Sequence, residues 1–596
     1  MSSKKPRAAD KLSKVPPTKG PVVAIGIDEF PEANNNIAWW VYAIGILLTA
    51  FLAFEVYNPA LSGEFLFDDQ YLPFMMPDVQ NAPLRAWLGV RPLLMVSYWL
   101  NYRYSGLEPY PYHVVGVGLH ALNAILAWAV VRRLLRIVNH TGITREILAC
   151  FAGGLFLLHP AQTESVAYVS SRSESMSVFF FLAAYAVFLY RPQQAISFGR
   201  TAAVLVLFAI ACTVKEHTTV LPGLLLLTDY FLTTPFRFEG IRRNLKLYAP
   251  IVVGGAFGVV AVWRVLSTAQ TAGFKIQEFT WYQYLFTQFR VIWKYIALYL
   301  LPVGQNGDYV FPVSHNLFEH GAIFALIALL GVSYAAWHYR REFPLASFGW
   351  FAFLLLLAPT SSVVPIRDVI VERRLYLPFI CLLLITVDFL RRWRPSPALL
   401  ASALAGVLAV SGFAAYERNK TWSNALLFWG DTVSKSPTNA RAVFQLAYAQ
   451  WQGGMCADAV RNYEKVSTLQ KVDDRLLVDW ALALECTDKP EDAVKKLREA
   501  YAIAPAALIQ AQIGMIYGKR GRTEEAMQAL AEAEKLDPRF EMIYVYRGNL
   551  FAARQDYASA AAWYRHALAI NPNNDAAQKA LSAVESQSPR RPPPQP

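Results

Sequence analysis

The sequence contains few cysteines and no Cys-x-x-Cys pair. Its five cysteines are spread over 596 residues, so the spacing that marks a structural zinc site or a dithiol redox motif is missing. A glycine-rich phosphate loop between a strand and a helix, the usual signature of a nucleotide site, is missing as well. These absences exclude the zinc-binding, dithiol-redox and nucleotide-dependent classes.

Charged residues are also scarce, and apolar residues take their place. Only 17% of the chain is charged and 55% is hydrophobic, whereas soluble proteins are about 25% charged and about 45–50% apolar. The apolar residues form long uncharged runs as far as Tyr416, and a helix of about 20 such residues crosses a hydrocarbon core of about 30 Å. We predict eleven membrane spans, at 37–57, 112–131, 147–165, 170–190, 199–213, 218–234, 247–265, 319–338, 345–360, 374–391 and 397–416.

The composition changes after Tyr416, which divides the chain into four segments. Residues 37–416 are predicted to form a membrane domain and residues 417–584 a soluble domain. Residues 1–36 and the proline-rich residues 585–596 contain too little apolar surface to fold, so we predict that both ends are disordered.

Lysine and arginine clusters follow alternate spans and thereby predict the orientation. Because these residues accumulate on the cytoplasmic side, we expect a cytoplasmic N-terminus and, after eleven spans, a soluble domain outside. The clusters are Arg132/Arg133, Arg191, Arg237, Arg242/Arg243, Arg340/Arg341 and Arg391/Arg392/Arg394.

Segment 282–301 carries two cations and is interpreted as an interfacial helix. If this segment instead crosses the membrane, the predicted topology changes. Topology also accounts for the net charge of +12, so no nucleic-acid partner is predicted.

The soluble domain repeats itself about every 34 residues. The recurring positions are Ala425, Ala459, Ala493, Ala526 and Ala560, each followed twelve residues later by Pro437, Lys471, Pro505, Pro538 and Pro572. This period is that of tetratricopeptide repeats, whose small residues let paired helices approach and whose proline ends the second helix. The predicted fold class is therefore all-α, a polytopic membrane domain followed by an α-solenoid. The solenoid would present a peptide-binding surface or a scaffold for oligomerisation, and deleting the residues after Pro437 is expected to leave the membrane domain folded.

The five cysteines fall into two groups. Cys456 and Cys486 lie in turns of successive repeats, where a disulfide can form if the domain lies in an oxidising compartment. Cys150, Cys212 and Cys381 lie in apolar runs and are predicted to be buried thiols.

Polar residues collect in loops on the predicted outer side. They include Asp68, Asp69, His159, Glu164, Arg172, Lys215, Glu216, Glu372, Arg373 and Arg374. At membrane depth a charge costs about 2.5–3.5 kcal/mol, so such residues tend to be paired or functional. A carboxylate at the surface can take a proton from a hydroxyl, and arginine or lysine can hold the phosphate of a lipid-linked donor. The alternative is a set of structural ion pairs lining the bundle.

A series of short motifs runs along the chain in order. They are Phe67-Asp-Asp69, Arg91-Pro92, Tyr112-His113, Leu119-His-Ala-Leu-Asn123, His159-Pro160, Thr163-Glu164, Lys215-Glu216, Glu372-Arg373 and Leu375-Tyr-Leu-Pro378. With the trailing repeats, the series resembles the transmembrane and tetratricopeptide-repeat O-mannosyltransferases over residues 37–580. The resemblance implies a GT-C fold, a polyprenyl-phosphate-linked sugar as donor, and a Ser or Thr hydroxyl of an exported protein as acceptor.

With this resemblance, each polar residue is assigned a role. The catalytic base is Asp69 or Asp68, and the remaining assignments are donor-phosphate ligands at Arg373, Arg374, Lys215 and Arg172 and supporting residues at His159, Glu164, Glu216, Glu372, Tyr376 and Arg91. We expect direct transfer with inversion, in which the base takes the hydroxyl proton and the cations stabilise the leaving phosphate. No cofactor is predicted, although the paired aspartates could hold a divalent metal.

The remaining expectations concern location and alternatives. The sugar is expected to be mannose or another hexose, and the compartment a bacterial inner membrane with the repeats in the periplasm, in contact with membrane lipid. The alternative from a different class is a non-catalytic membrane scaffold that recruits partners through its repeats.

Overall fold

The computed structural model describes residues 38–268 and 272–587, and almost every element in it is a helix. The predicted disordered segment 1–36 and most of the tail lie outside the described residues. Within the described part, extended pairing is limited to one isolated bridge between Ala272 and Ile366. The all-α prediction is confirmed.

The described residues before the repeats, 38–268 and 272–424, form seventeen α-helices. They are α1 Trp39–Leu61, α2 Pro77–Gln80, α3 Leu84–Trp87, α4 Pro92–Ser105, α5 Pro109–Ile137, α6 Ile143–Leu158, α7 Thr163–Ala167, α8 Arg172–Leu189, α9 Phe198–Val214, α10 Leu221–Thr228, α11 Glu239–Arg243, α12 Leu245–Thr268, α13 Trp281–Leu300, α14 Ala322–His338, α15 Pro344–Leu357, α16 Phe379–Leu390 and α17 Pro397–Lys420. Short 3₁₀ turns connect several of them, at Phe67–Tyr71, Pro73–Met75, Pro160–Gln162, Val169–Ser171, Glu216–Val220, Glu319–Gly321 and Glu372–Leu375, and a π-turn lies at Asp229–Thr233.

Ten further helices form the repeats. They are α18 Ala425–Lys435, α19 Ala440–Gln452, α20 Cys456–Leu469, α21 Asp474–Cys486, α22 Pro490–Ile503, α23 Ala507–Lys519, α24 Thr523–Leu536, α25 Met542–Ala553, α26 Tyr557–Ile570 and α27 Asp575–Gln587. From Ala459 onward, every recurring alanine is on the second helix of a pair and is fully buried. The small side chain lets the paired helices approach closely. In the same way, the Cα of Gly548 contacts the ring of Tyr564 so closely that a Cβ would lie 2.4 Å from it.

Each of the eleven predicted spans coincides with a helix or a pair of helices, but the helices differ in length. Among the described residues, five are long and apolar enough to cross a membrane, at Trp39–Leu61, Pro109–Ile137, Val169–Leu189, Glu319–His338 and Pro397–Lys420. The pair Ile143–Leu158 and Pro160–Ala167 would make a sixth span with a 52° bend, and four other apolar helices are shorter. The 20-residue α13 is not among these candidate spans, because its two glutamines and many tyrosines and tryptophans, together with Arg290 and Lys294, make it too polar. The count of eleven is thus only approximate.

One hydrophobic core runs through the whole bundle, from Ala53 to Ala415. Helices α5, α6, α8 and α16 supply much of it. By contrast, the apolar windows of Trp39–Leu61 and Glu319–His338 are each only 11% buried inside the protein. Apolar surface that the protein leaves uncovered on long helices is what a lipid environment requires.

The arginine clusters meet at one end of this bundle, which we call the arginine end and define by the loops around Arg133, Arg191, Arg340 and Arg391. Arg133 donates to the carbonyls of Leu189 and Arg191 at 2.9 and 3.1 Å. Arg191 in turn donates to Asp229 at 2.6 Å. Helices α5 and α8 both run from this end to the loops that carry the polar motifs. The two classes of loop predicted from the alternating charges are therefore at opposite ends.

The cysteines agree with the predictions in part. Cys456 and Cys486 form a disulfide with a Cα–Cα distance of 5.9 Å. Cys381 is buried as predicted, but Cys212 is half-buried and Cys150 is exposed. The prediction for Cys150 is wrong because an apolar run on a lipid-facing helix also places residues on the outer surface, where hydropathy alone cannot tell the two faces apart.

Candidate functional site

The motif loops converge at the end of the bundle opposite the arginine end. We call this end the site end and define it by the loops 62–91, 159–171, 215–220, 301–318 and 358–378. The first loop carries the paired aspartates on the 3₁₀ turn Phe67–Tyr71. It contacts the 159–171 loop directly, because the backbone N–H of Asp68 donates to the Tyr168 hydroxyl at 2.7 Å.

Asp69 is buried, with 1% of its surface exposed. Its Oδ1 accepts hydrogen bonds from the backbone N–H and the hydroxyl of Ser170, at 2.7 and 2.6 Å, and its Oδ2 accepts one from the N–H of Leu66 at 3.1 Å. Burial raises the pKa of Asp69 to about 7, the hydrogen bonds from Ser170 and Leu66 oppose the rise, and the charge of Asp68 adds to it. All three hydrogen-bond donors are neutral, and among the described residues no ion pair to Asp69 is present.

Asp68 differs from its neighbour because it is exposed. It directly follows Phe67, whose φ of 54° is in the left-handed region that bulky side chains rarely adopt. A carboxylate in this position can be reached by a substrate, whereas that of Asp69 is enclosed by the Ser170 and Leu66 hydrogen bonds.

A cluster of cations lies beside these carboxylates. Arg91 forms a two-point contact with Glu216 at 3.0 and 2.8 Å, and Lys215 is paired with Glu174. Arg373 donates to Glu164 from its guanidinium at 2.6 Å and from its backbone N–H at 3.0 Å. These three pairs bring α4, α7, α8 and the end of α9 together at one place.

The three cations are close enough to influence one another. Burial lowers the pKa of Lys215, Glu174 opposes the shift, and the positive charges of Arg91 and Arg373 lower it further. Asp68 also acts electrostatically on Arg373. Each of the three cations is already paired with a carboxylate, so a phosphate bound here would share them with Glu216, Glu174 and Glu164.

Arg172 and Arg374, the other two predicted phosphate ligands, are held by protein groups. Arg172 is 2% exposed, its guanidinium lies 4.6 Å from the ring centroid of Tyr98, and it donates to the Tyr112 carbonyl at 3.0 Å. Arg374 donates to the backbone carbonyls of Asp368 and Val369 at 2.6 and 3.1 Å. These contacts indicate that both arginines stabilise the loops. Binding to phosphate stays a prediction for both.

Most of the predicted supporting residues hold loops together. Glu372 is 1% exposed and accepts hydrogen bonds from Gln305, the Asn306 N–H and Tyr309, at 2.7, 2.8 and 2.6 Å. His159 bridges its own turn and the Tyr299 carbonyl, with Nε2 3.0 Å from that oxygen. These two residues fix the 159–171 and 301–318 loops against the segment that carries Arg373.

Tyr376 lies deeper, where its hydroxyl meets His120 Nδ1 at 2.8 Å and Asn123 Nδ2 at 3.0 Å. The tyrosine is fully buried. This network joins α5 to the start of α16. Tyr376 therefore stabilises the site from the interior of the bundle.

Sequence reasoning missed several participants. Glu174 pairs with Lys215, Ser170 holds Asp69, and Asn306 and Tyr309 hold Glu372. Glu174 could have been found, because a carboxylate at the start of an apolar run is costly without a partner. Ser170 and Asn306 are ordinary loop residues, and no local signal marks them.

Some buried polar atoms of the 159–171 loop have no protein partner among the described residues. They are both amide atoms of Gln162 and the hydroxyls of Ser165 and Ser171. Buried polar groups are normally hydrogen-bonded, so these atoms are available to water or to a polar ligand. For a metal, by contrast, the described residues contain no group of three His, Cys, Asp or Glu side chains arranged to hold an ion.

Comparison with known proteins begins with the repeats. Family models described as tetratricopeptide repeat match residues 542–574 and 507–540. This confirms the repeat prediction for the C-terminal part.

Longer similarities connect the chain to curated relatives. A protein O-mannosyl-transferase of Caenorhabditis elegans is 25% identical over 448 residues, 70% of this chain and 61% of the relative. Protein O-mannosyl-transferase TMTC3 of Homo sapiens is 22% identical over 548 residues, 82% of this chain and 58% of the relative. The human protein O-mannosyl-transferase TMTC4 is 22% identical and covers 70% of this chain and 65% of its own length. The chain thus spans about three fifths of the length of the first of these relatives. The resemblance to transmembrane and tetratricopeptide-repeat O-mannosyltransferases is confirmed.

Proposed function

We propose that this chain is a membrane protein O-glycosyltransferase that moves a sugar, mannose or another hexose, from a polyprenyl-phosphate-linked donor to Ser or Thr hydroxyls of exported proteins. The similarity to proteins named protein O-mannosyl-transferases supports the class of reaction. The observation that carries the proposal is an exposed carboxylate, Asp68, beside Arg373: the Asp68 N–H donates to the Tyr168 hydroxyl at 2.7 Å, and the Arg373 guanidinium lies 5.7 Å from the centroid of the same tyrosine ring. Lys215 and Arg91 belong to the same cluster of cations as Arg373. The GT-C class and the lipid-linked donor rest on the resemblance.

Of the two aspartates, Asp68 is the better candidate for the base. A base must come within about 2.6–3.2 Å of the hydroxyl proton that it takes, and Asp68 is accessible. Asp69 is enclosed and uses both carboxylate oxygens to hold Ser170 and Leu66. We therefore assign Asp69 the task of fixing the turn on which Asp68 stands.

The reaction needs one bond to form and one to break. The acceptor oxygen attacks the anomeric carbon while its proton passes to Asp68, and the bond between that carbon and the phosphate oxygen breaks with inversion. The leaving group is a lipid monophosphate, whose negative charge Arg373, Lys215 and Arg91 stabilise. Because Glu164, Glu174 and Glu216 already pair with these cations, the phosphate would share them with the carboxylates.

Location is part of the proposal. The disulfide between Cys456 and Cys486 supports an oxidising compartment for the repeats. The arginine clusters at the opposite end of the bundle support a cytoplasmic arginine end. We propose a bacterial inner membrane with the site end facing the periplasm, where an exported acceptor and a lipid-linked donor would meet.

The test is transfer from a polyprenyl-phosphate-linked mannose to a Ser/Thr peptide by the purified full chain. Asp68→Asn keeps the shape and removes the basicity, so turnover is expected to fall by about 10²- to 10⁴-fold. Asp78→Asn is the matched control, because Asp78 is an exposed aspartate of the same loop. Full turnover by both Asp68→Asn and Asp69→Asn would rule out this site as the catalytic centre.

A further inference from the structure

The first repeat, by which we mean α18, α19 and the residues just before them (422–452), contacts the site end. One of its residues touches three loops there. Arg441, on α19, forms a two-point ion pair with Asp308, at 2.7 Å from each carboxylate oxygen. The same guanidinium donates to Asp368 at 3.0 Å. It also lies 4.9 Å from the ring centroid of Phe67. Arg441 thus joins the loop that carries the aspartates to the 301–318 and 358–378 loops.

Phe67 is the residue through which this contact reaches the aspartates. Its left-handed backbone is unfavourable for a bulky side chain and persists only where the surroundings hold it. The surroundings include the repeats, since the ring stacks on Trp429 of α18 with a centroid distance of 5.5 Å, and Tyr168 of the membrane domain, whose ring centroid lies 6.3 Å away. Asp68 is the next residue, so a change in the Phe67 backbone would move its carboxylate.

The rest of the contact between the first repeat and the site end is closely packed. The backbone of Gly63 approaches Trp422 so closely that a Cβ would lie 2.5 Å from its carbonyl oxygen. A Cβ on Gly307 would lie 2.3 Å from the Phe428 ring. The N–H of Ala425 donates to Glu64 at 3.2 Å. Only glycine permits the first two approaches, so the sequence of the loops matches this particular position of the repeat.

We propose that Arg441, together with Trp429, is a positioning residue for the Asp68–Asp69 turn, which makes the first repeat a structural part of the active site. The inference rests on the proposed function for its catalytic consequence, but its structural part stands on the contacts alone. It bears on the expectation that the membrane domain stays folded without the residues after Pro437. Arg441 lies beyond Pro437 and holds three loops of the membrane domain.

The structural part is tested by amide hydrogen exchange in the full chain. In Arg441→Met the amides of residues 64–71 are expected to exchange about tenfold faster, because the turn loses a contact that holds it closed. Arg441→Lys keeps the charge but not the two-point geometry. Its exchange rate at residues 64–71 should therefore lie between those of the wild type and Arg441→Met. Arg461→Met is the matched control, since the exposed Arg461 pairs only with Asp458 on its own helix.

The catalytic part is tested by separating kcat from the KM for the lipid-linked donor. Misplacing a reacting group lowers the rate of the chemical step, so Arg441→Met is expected to lower kcat by about 10- to 100-fold at an unchanged donor KM. Arg441→Lys should recover part of the loss. If Arg441 were merely structural, its loss would lower the amount of folded protein. The kcat of the folded protein would then not fall at an unchanged donor KM, and Arg441→Lys would not recover it.

Three results would overturn the inference. Unchanged exchange at residues 64–71 in Arg441→Met would mean that the arginine does not hold the turn. Faster exchange with an unchanged kcat would mean that the turn needs no positioning, and an equal effect of Arg461→Met would mean that the response is unspecific. Fully active Asp68→Asn and Asp69→Asn would instead refute the proposed function, and the exchange measurement would still decide whether Arg441 holds the turn.

Discussion

The two ends of the helical bundle treat buried carboxylates in different ways. At the arginine end, Asp229 is fully buried and receives a hydrogen bond from Arg191 at 2.6 Å, besides those from Asn244 and Tyr248 at 3.0 and 2.8 Å. At the site end, Asp69 is equally buried but has only neutral donors. The first carboxylate therefore has a counter-ion.

This difference helps to separate structural charges from functional ones. At the arginine end, buried carboxylates pair with arginines: Asp388 pairs with Arg391 at 2.5 Å, as Asp229 does with Arg191. Pairing also occurs at the site end, so ion pairs by themselves do not mark a site. The mark is a buried carboxylate without a counter-ion beside an exposed one, Asp68, close to cations that repel each other.

The largest expected effect concerns the side of the membrane on which each end lies. We compare Asp78→Cys at the site end with Arg394→Cys at the arginine end, since both positions are exposed. In intact cells, in a background without Cys150, Cys212 and Cys381, a membrane-impermeant maleimide is expected to label only Asp78→Cys. Detergent should make both react. Labelling of Arg394→Cys before detergent is added would reverse the orientation and place the site end in the cytoplasm.

The next effect concerns stability at the arginine end. Arg191→Met leaves the buried Asp229 without its cation, and breaking one side of such a pair costs about 3–5 kcal/mol. We expect a large fall in the thermal unfolding temperature of the purified protein. Arg237→Met is the control, because the ion pair of Arg237 with Glu239 is exposed, at 74% and 53% for the two side chains, and such pairs contribute about 0–1 kcal/mol. Similar stability for both variants would contradict the structural role of the Asp229 pair.

A smaller expected effect concerns the Arg91–Glu216 pair at the site end, where donor kinetics can show whether the pair is catalytic or structural. Arg91 and Glu216 are each about one third exposed, at 35% and 32%. If Arg91 binds the donor phosphate, Arg91→Gln should lower kcat/KM for the donor by about 10- to 100-fold. Glu216→Gln should then preserve or raise it, because the arginine loses a competing partner. Equal losses in the two variants would identify the pair as structural.

The smallest effect is the pH dependence of stability that Asp69 produces. Its folded-state pKa of about 7 lies above the ordinary value of 3.8, so between these pH values the folded chain keeps a proton that the unfolded chain has released. Stability therefore falls as pH rises through this window and levels off above the folded-state pKa, and about 1.4 kcal/mol of the fall lies between pH 6 and 8. The charged and titratable groups that act on Asp69 are Asp68, Tyr98, Tyr168 and Arg172.

The measurement is the unfolding temperature of the wild type and of Asp69→Asn across this pH range. The variant cannot titrate at this position, so its curve should be flatter. Asp78→Asn should follow the wild type. Parallel curves for wild type and Asp69→Asn would show that the carboxyl has an ordinary pKa in the folded protein.

Much of the fold was predictable because the signals are local. The apolar run from Ile37 to Tyr57 predicts a helix, and α1 covers Trp39–Leu61. The end of the last predicted span was less accurate, since α17 continues to Lys420, beyond the predicted end at 416. Helix ends depend on capping and packing, which hydropathy does not report.

The candidate site was predictable as a set of residues and not as an arrangement. Asp68 and Asp69 are adjacent in the chain and look alike, yet one is exposed and the other is held by Ser170. Arg373 and Arg374 are also adjacent, and one pairs with Glu164 while the other binds backbone carbonyls. Neighbours differ because a turn directs successive side chains to different surroundings.

The sequence by itself determined the all-helical class, the repeats and the two kinds of polar loop, because hydropathy and periodicity are properties of neighbouring residues. Only the tertiary structure decided the partners of the charges. Arg441 and Asp308 are 133 residues apart, and Asp69 and Ser170 are 101 apart. Contacts at such separations depend on how the whole bundle packs, and no local pattern in the chain specifies them.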